Sequence, residues 1–263
     1  MAQKLRKRFG QHLLVDKTTI ALIVQALQPK KEENICEIGP GLGAITMPIL
    51  QKIGNMHAVE IDRDLAQKLQ LSCKPIGNLD LHLADVLNFD LTEIATVNHP
   101  ARLIGNLPYN ISTPLLFHLL QFTPLIFDMH FMLQKEVIDR IAAPVGDSQY
   151  SRLSVMLQSY CKVEILFDIA PEMFSPPPKV FSSFMRLTPI DTYRSKIHDP
   201  EVFNKVVKNA FTQRRKTIKN SLSTLATIDQ LGKSNIDPKH RPQELSISQY
   251  IDLANHLSME TKS

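Results

Sequence analysis

The sequence predicts an α/β fold, a doubly wound and mainly parallel sheet followed by a small all-helical domain. Three observations carry this. Short apolar, β-branched runs alternate with longer helical patterns through the first 190 residues, the order of a sheet whose strands are joined by crossover helices. The strand signal stops after Pro189, and only helix starts follow it. The length, 263 residues, favours a large domain plus a smaller one.

The strand runs fall at 34–38, 56–61, 79–84, 103–105, 129–133, 162–167 and 183–187, making seven. Helical periodicity occupies 42–52, 63–71 and 113–121 between them. The last two runs are separated by Ser175-Pro176-Pro177-Pro178 and no clear helix, so an antiparallel hairpin at the sheet edge is expected. Farther on, Asp199-Pro200-Glu201 reads as a capping aspartate followed by proline at the first helical position. Ser246-Ile247-Ser248-Gln249 opens another helix. The expected division is 1–189 for the sheet domain with its basic arm and 190–263 for the helical domain.

Composition narrows the functional classes. A hydrophobic fraction of 43% and a charged fraction of 21% describe a globular protein. The net charge of +4 is unevenly spread. Lys4, Arg6, Lys7 and Arg8 open the chain, residues 16–190 carry a net −4, and residues 191–263 a net +4. Basic ends around an acidic middle fit a polyanionic partner, although solvated lysines alone would give the same count. Cys36, Cys73 and Cys161 lie far apart with no paired spacing, which speaks for a reducing compartment and against a disulfide framework. Leu13-Leu14-Val15 is too short for a signal-peptide core, and no apolar run reaches the ~18 residues of a membrane span. A cytoplasmic protein is expected.

The strongest local pattern is Glu37-Ile38-Gly39-Pro40-Gly41-Leu42-Gly43, at the end of the first strand. Glycines at a strand-to-helix turn let backbone approach a ligand closely. The third glycine comes one residue too early for a dinucleotide fingerprint, and Pro40 removes a donor that a pyrophosphate would need. The turn therefore suits an uncharged or zwitterionic nucleoside. Glu60 ends the second strand, where an acid can accept both ribose hydroxyls. Asp85 ends the third, where it can accept from an adenine amino group. Singly, either acid reads equally well as a surface acid or helix cap. Together at adjacent strand ends, the three points outline a ligand crevice.

The fourth strand runs into Asn106-Leu107-Pro108-Tyr109. An adenine amine is a poor nucleophile because its lone pair is delocalised into the ring. Two acceptors binding its hydrogens favour a pyramidal nitrogen and aim the lone pair. The Asn106 side-chain oxygen and the Leu107 carbonyl can do this, with Pro108 stiffening the turn. Tyr109 offers a face for a splayed-out base, a task no tryptophan can take because the chain has none. On its own the motif also reads as a proline turn with a core tyrosine.

Five ordered motifs resemble the KsgA/RsmA family of ribosomal RNA adenine dimethyltransferases. They are Arg6-Lys7-Arg8-Phe9-Gly10-Gln11-His12-Leu13-Leu14, Glu37 to Gly43, Gly105-Asn106-Leu107-Pro108-Tyr109-Asn110-Ile111-Ser112-Thr113-Pro114, Phe174-Ser175-Pro176-Pro177-Pro178-Lys179-Val180, and Phe211-Thr212-Gln213-Arg214-Arg215-Lys216. The resemblance spans almost the whole chain. It implies a Rossmann-like class I methyltransferase fold and S-adenosylmethionine as methyl donor, with no metal. It implies cofactor contacts at His12, Leu14, Gly39, Glu60, Asp85 and Asn106, and Tyr109 with Phe174 embracing the target adenine. The implied substrate is two neighbouring adenines near the 3′ end of small-subunit ribosomal RNA in a 30S precursor particle, met by a monomer. His12 departs from the asparagine of many relatives, and its tautomer leaves the contact open.

The segment 202–228 contains no acid but holds Lys205, Lys208, Arg214, Arg215, Lys216 and Lys219. As one helix it would set all but Arg214 on a basic stripe, opposite Val206, Val207, Ala210, Phe211, Ile218 and Leu222. Arg214, Arg215, Lys216 and Lys219 are thus expected to contact RNA phosphates; a solvated surface helix would look similar. Three other readings stay open at this level: a large-subunit RNA methyltransferase, a non-catalytic ribosome-assembly factor, and a nicotinamide-dependent oxidoreductase.

Overall fold

The computed structural model describes residues 12–260, so the basic arm with Lys4, Arg6, Lys7 and Arg8 lies outside the described residues. In chain order the first elements are β1 (Leu13–Leu14), α1 (Lys17–Leu27), β2 (Asn34–Ile38), α2 (Thr46–Ile53), β3 (Asn55–Glu60), α3 (Arg63–Cys73) and β4 (Asn78–Leu83). Next come β5 (Ala101–Asn106), α4 (Ser112–Leu119), β6 (Ile126–Gln134), α5 (Lys135–Ala142), α6 (Arg152–Tyr160), β7 (Cys161–Ile169), β8 (Phe174–Ser175) and β9 (Ser182–Pro189). Helices α7 (Asp191–Arg194), α8 (Pro200–Thr212), α9 (Ile218–Ser221), α10 (Ile228–Lys233) and α11 (Ile247–Glu260) follow.

Seven strands form one sheet in the order β4-β3-β2-β5-β6-β9-β7. The pairs from β4 through β6 are parallel, and β9 runs antiparallel to β6. On β7 and β9 the side chains pair Glu164 with Arg186 and Asp168 with Ser183, so residue numbers run in opposite senses. The antiparallel edge expected from the Pro-rich loop is therefore present. All seven sequence-read strands lie in this sheet. β2 is buried along its whole length, as a central parallel strand covered on both faces must be.

The loops that follow the strands are fixed by caps and packing. Asp62 caps α3, accepting from the amides of Asp64 at 2.9 Å and Leu65 at 3.3 Å. α2 starts at Thr46 and not at 42, because the glycine turn before it holds Gly39 and Gly41 at φ +66° and +58°. The pattern read over 113–121 ends as α-helix at Leu119 and continues as a tighter 3-10 turn containing Pro124. Arg102 on β5 grips Asp128 on β6 through two bonds of 2.9 and 2.8 Å and reaches Glu33 at 2.7 Å. Removing one partner of such a buried pair costs about 3–5 kcal/mol, so this clamp holds the register of the strand that ends at Asn106.

Among the described residues, those up to 138 together with 164–189 form one compact unit, and 139–163 with those from 190 onward form a second. The chain thus changes unit at 138/139 and 163/164 as well as at 189/190. In the second unit α8 buries Phe203, Val206, Val207 and Ala210. Asp199 caps it, accepting from the amides of Glu201 and Val202 at 3.0 and 3.1 Å. Phe211 lies between Tyr150 and Tyr250, and the Tyr250 hydroxyl donates to the Pro242 carbonyl at 2.7 Å. The segment 202–228 is not one helix. α8 ends at Thr212, and Thr217 has extended backbone before α9. The chain turns at 213–216, with the Lys216 amide donating to the Gln213 carbonyl. No helix among the described residues is long and apolar enough to cross a membrane. The three cysteines are free and buried.

Candidate active site

The carboxyl ends of β2, β3 and β5 and the loop after β4 converge on a cleft of about 280 Å³ in the first unit. Its position follows from the crossover topology, which opens crevices at strand carboxyl ends. Gly105, one residue before Asn106, sets the spacing of the two central strands. A Cβ there would sit 2.6 Å from the Ile38 carbonyl oxygen, so only glycine lets β5 lie this close to β2.

Of the residues singled out in the sequence, His12, Gly39, Glu60, Asp85, Asn106, Leu107, Pro108 and Tyr109 all line this cleft. Leu14 and Phe174 do not. They are paired across the two-stranded ribbon of β1 and β8, and both are buried in the core. The tail cations lie in the second unit. Arg215, Lys216 and Lys219 are exposed, whereas Arg214 is half-buried and donates to the Ser148 carbonyl.

Glu60 is buried. One carboxylate oxygen accepts from the Asp62 amide at 2.9 Å and the other from the Gly41 amide at 3.2 Å. These bonds tie the glycine turn to the end of β3. Burial raises the Glu60 carboxyl above its ordinary range, and the backbone donors partly offset that. Each oxygen keeps a lone pair for a ligand hydroxyl. Asp85 is exposed and accepts from the Leu87 amide at 3.0 Å and the Asn88 side chain at 3.3 Å, which orders the loop beside the cleft.

Asn106 donates its amide nitrogen to the His12 carbonyl at 2.8 Å. A carbonyl only accepts, so this bond fixes which way the amide points and leaves Oδ1 as the acceptor in the cleft. The Leu107 amide donates to the Met132 carbonyl at 3.1 Å, anchoring the turn to β6. The Tyr109 hydroxyl lies 3.3 Å from the Ser182 hydroxyl, and the Ser112 hydroxyl donates to the Tyr109 carbonyl at 3.1 Å. His12 stacks on Tyr109 with centroids 5.6 Å apart and 30° between planes. Its Nδ1 is 2.7 Å from the Pro176 carbonyl, which selects the Nδ1–H form and answers the tautomer question.

One contributor was present in the glycine motif but not singled out as a site residue. Glu37 is buried under the turn, accepts from the Thr46 hydroxyl at 2.5 Å, and has its carboxyl raised to about 7, chiefly by burial. Nothing in its sequence position distinguishes it from a solvated acid except the apolar residues on either side. Val86 and Leu87 also line the cleft and give it an apolar wall.

A family profile described as Ribosomal RNA adenine dimethylase matches residues 2–259. The Ribosomal RNA small subunit methyltransferase A of Hahella chejuensis is 48% identical over 252 residues, covering 96% of this chain and 92% of that protein. The protein of the same name from Xylella fastidiosa is 49% identical over 251 residues, covering 95% of each. Among solved structures, a dimethyladenosine transferase from Plasmodium falciparum superposes with a TM-score of 0.81 at 24% identity, covering 95% of this chain and 98% of that one, a likeness of fold. The chain belongs to the ribosomal RNA adenine dimethylase family.

Proposed function

We propose that the protein is an S-adenosylmethionine-dependent methyltransferase that dimethylates the 6-amino groups of two adjacent adenines near the 3′ end of 16S ribosomal RNA. The cleft suits the nucleoside half of that donor. Glu60 accepts the ribose hydroxyls, Asp85 accepts from the donor's adenine amine, and Val86 and Leu87 cover its ring. Gly39 leaves open space on its side-chain face, with no atom within 4 Å of an added Cβ, so the donor can lie against backbone. Bound there, S-adenosylmethionine supplies an electrophilic methyl group.

The single observation that carries the reading is the Asn106 amide, whose nitrogen is engaged by His12 and whose oxygen remains for the target. Asn106 Oδ1 and the Leu107 carbonyl accept the two hydrogens of the adenine amine. That arrangement withdraws the lone pair from the ring and aims it across the cleft. Tyr109 stacks on the extruded base, with its hydroxyl held by Ser182. His12 Nε2 and the Leu14 backbone complete the donor side, and Phe174 supports the ribbon beside the acceptor loop.

RNA recognition falls to residues 190–263. Arg215, Lys216 and Lys219 present cations for phosphates, and Arg214 holds the loop that carries them. The substrate is a 30S precursor particle, met in the cytoplasm by a monomer, and transfer itself needs no metal. The test is transfer of labelled methyl groups to purified small and large subunits from cells lacking the modification. Label on small subunits supports the proposal. Label confined to large subunits, or calorimetry showing tighter binding of a nicotinamide dinucleotide than of S-adenosylmethionine, refutes it.

A further inference from the structure

Outside the methyl-transfer cleft, three ligand-type side chains converge at the β3–β4 edge of the sheet. We propose that His57, Asp80 and His82 form a binding site for a zinc-class divalent metal ion, which clasps the two strands together. The placement follows from register. His57 pairs with Asp80 and Val59 with His82 across the parallel ladder, so alternation puts all three side chains on one sheet face. Among the described residues this is the one grouping of three such ligand atoms, all within 4.8 Å of one another.

The distances fit an ion. His57 Nδ1 lies 3.3 Å from His82 Nε2 and 3.3 Å from Asp80 Oδ2, while His82 Nε2 is 3.9 Å from the same oxygen. Ligands bound at about 2.0–2.1 Å in a tetrahedron stand about 3.3–3.4 Å apart. Two of the three edges already match. The third closes with a shift of about 0.5 Å by the carboxylate, whose side chain is 60% exposed and free to turn.

Hydrogen bonding alone serves this cluster poorly. A single Nδ1 proton on His57 would face both the His82 nitrogen and the Asp80 oxygen at 3.3 Å. One cation meets all three lone pairs. The His82 ring packs edge-on to Phe89 at 5.2 Å between centroids, and the two imidazoles lie 5.5 Å apart. Two imidazoles and a carboxylate suit zinc, cobalt or nickel and not magnesium or calcium. Water would complete the coordination. His57 stands three residues before Glu60 and His82 three before Asp85, so the ion would brace the strands that present both acids without touching the cleft.

The test titrates zinc chloride, and separately cobalt chloride, into untagged, chelator-stripped full-length protein. Calorimetry should show a single site, and cobalt should develop visible absorption. His57→Gln and His82→Gln should each weaken binding at least tenfold, because loss even of an outer hydrogen-bond partner of a metal ligand costs ~10–100-fold. Imidazole nitrogen NMR on the unmutated protein does not depend on how the variants fold. There zinc should shift the His57 and His82 rings and leave the other seven histidines unchanged. Variants that bind as tightly as the parent would overturn the proposal. So would zinc shifts confined to other histidines, or the absence of any binding.

Discussion

Glu60→Gln isolates the negative charge proposed to lie under the donor's ribose. In the protein the two oxygens each accept one backbone amide, from Asp62 at 2.9 Å and Gly41 at 3.2 Å. One lone pair on each is left for a ribose hydroxyl. Bonds to a charged acceptor are worth about 1.5–3 kcal/mol, and neutral ones about 0.5–1.5 kcal/mol. Glutamine keeps the shape but only one acceptor oxygen, now neutral. The difference is a loss of about 2–4 kcal/mol, or a Kd weaker by ~30–1,000-fold. The variant also tests the pKa argument. Because burial raises the Glu60 carboxyl, affinity of the parent should fall as the solution is acidified and the carboxylate is protonated, whereas the variant should show no such fall. Calorimetry with S-adenosylmethionine reads both effects, with circular dichroism confirming an unchanged fold. A folded Glu60→Gln protein whose Kd stays within about twofold of the parent would refute the reasoning.

Asn106→Ala should abolish methyl transfer even at saturating donor, and measurable turnover under single-turnover conditions would contradict the acceptor role. Tyr109→Phe should retain activity, whereas Tyr109→Ala loses stacking worth ~1–3 kcal/mol, so equal inactivity of the two would shift the role to the hydroxyl and its Ser182 partner. Ser replacing Arg215, Lys216 and Lys219 together should flatten the salt dependence of small-subunit binding by ~1 unit of slope per lost phosphate contact, with donor affinity unchanged. A buried carboxyl raised from 4.5 to about 7 stabilises the fold fully below pH 4.5, and that stability is lost as pH rises through 7. The shift amounts to about 3 kcal/mol, and Glu37→Gln should remove this pH dependence from denaturant unfolding. An unchanged pH slope in the variant would place the titration elsewhere.

The sheet was legible in the sequence because its strands are short apolar runs bounded by turns, and the cleft because the strand ends carry distinctive residues. What escaped did so for physical reasons. β1 and β8 have two residues each, too few for any period, yet they hold Leu14 and Phe174 in the core and not in the cleft. In α6 seven of nine residues are buried, so the polar face that reveals a helix is missing. The break at 213–217, where Thr217 has extended backbone, turns the expected single basic helix into a loop between two helices, and the 3.6-residue period does not register it. The His57–Asp80–His82 cluster depends on strand register between β3 and β4, which no spacing along the chain displays. The state of Glu37 depends on how completely the turn above it excludes water.

Asn106 and Tyr109, on the reading proposed above, present a ribosomal adenine to the donor cleft. The most direct measurement incubates the protein with isotopically labelled S-adenosylmethionine and unmethylated small subunits, then locates and identifies each labelled nucleoside by nuclease digestion and mass spectrometry. The label should appear as N6,N6-dimethyladenosine at two adjacent positions near the 3′ end of 16S RNA, and nowhere with Asn106→Ala. Label on another base, at a ring nitrogen, or at the same positions with the Asn106→Ala protein would contradict that reading.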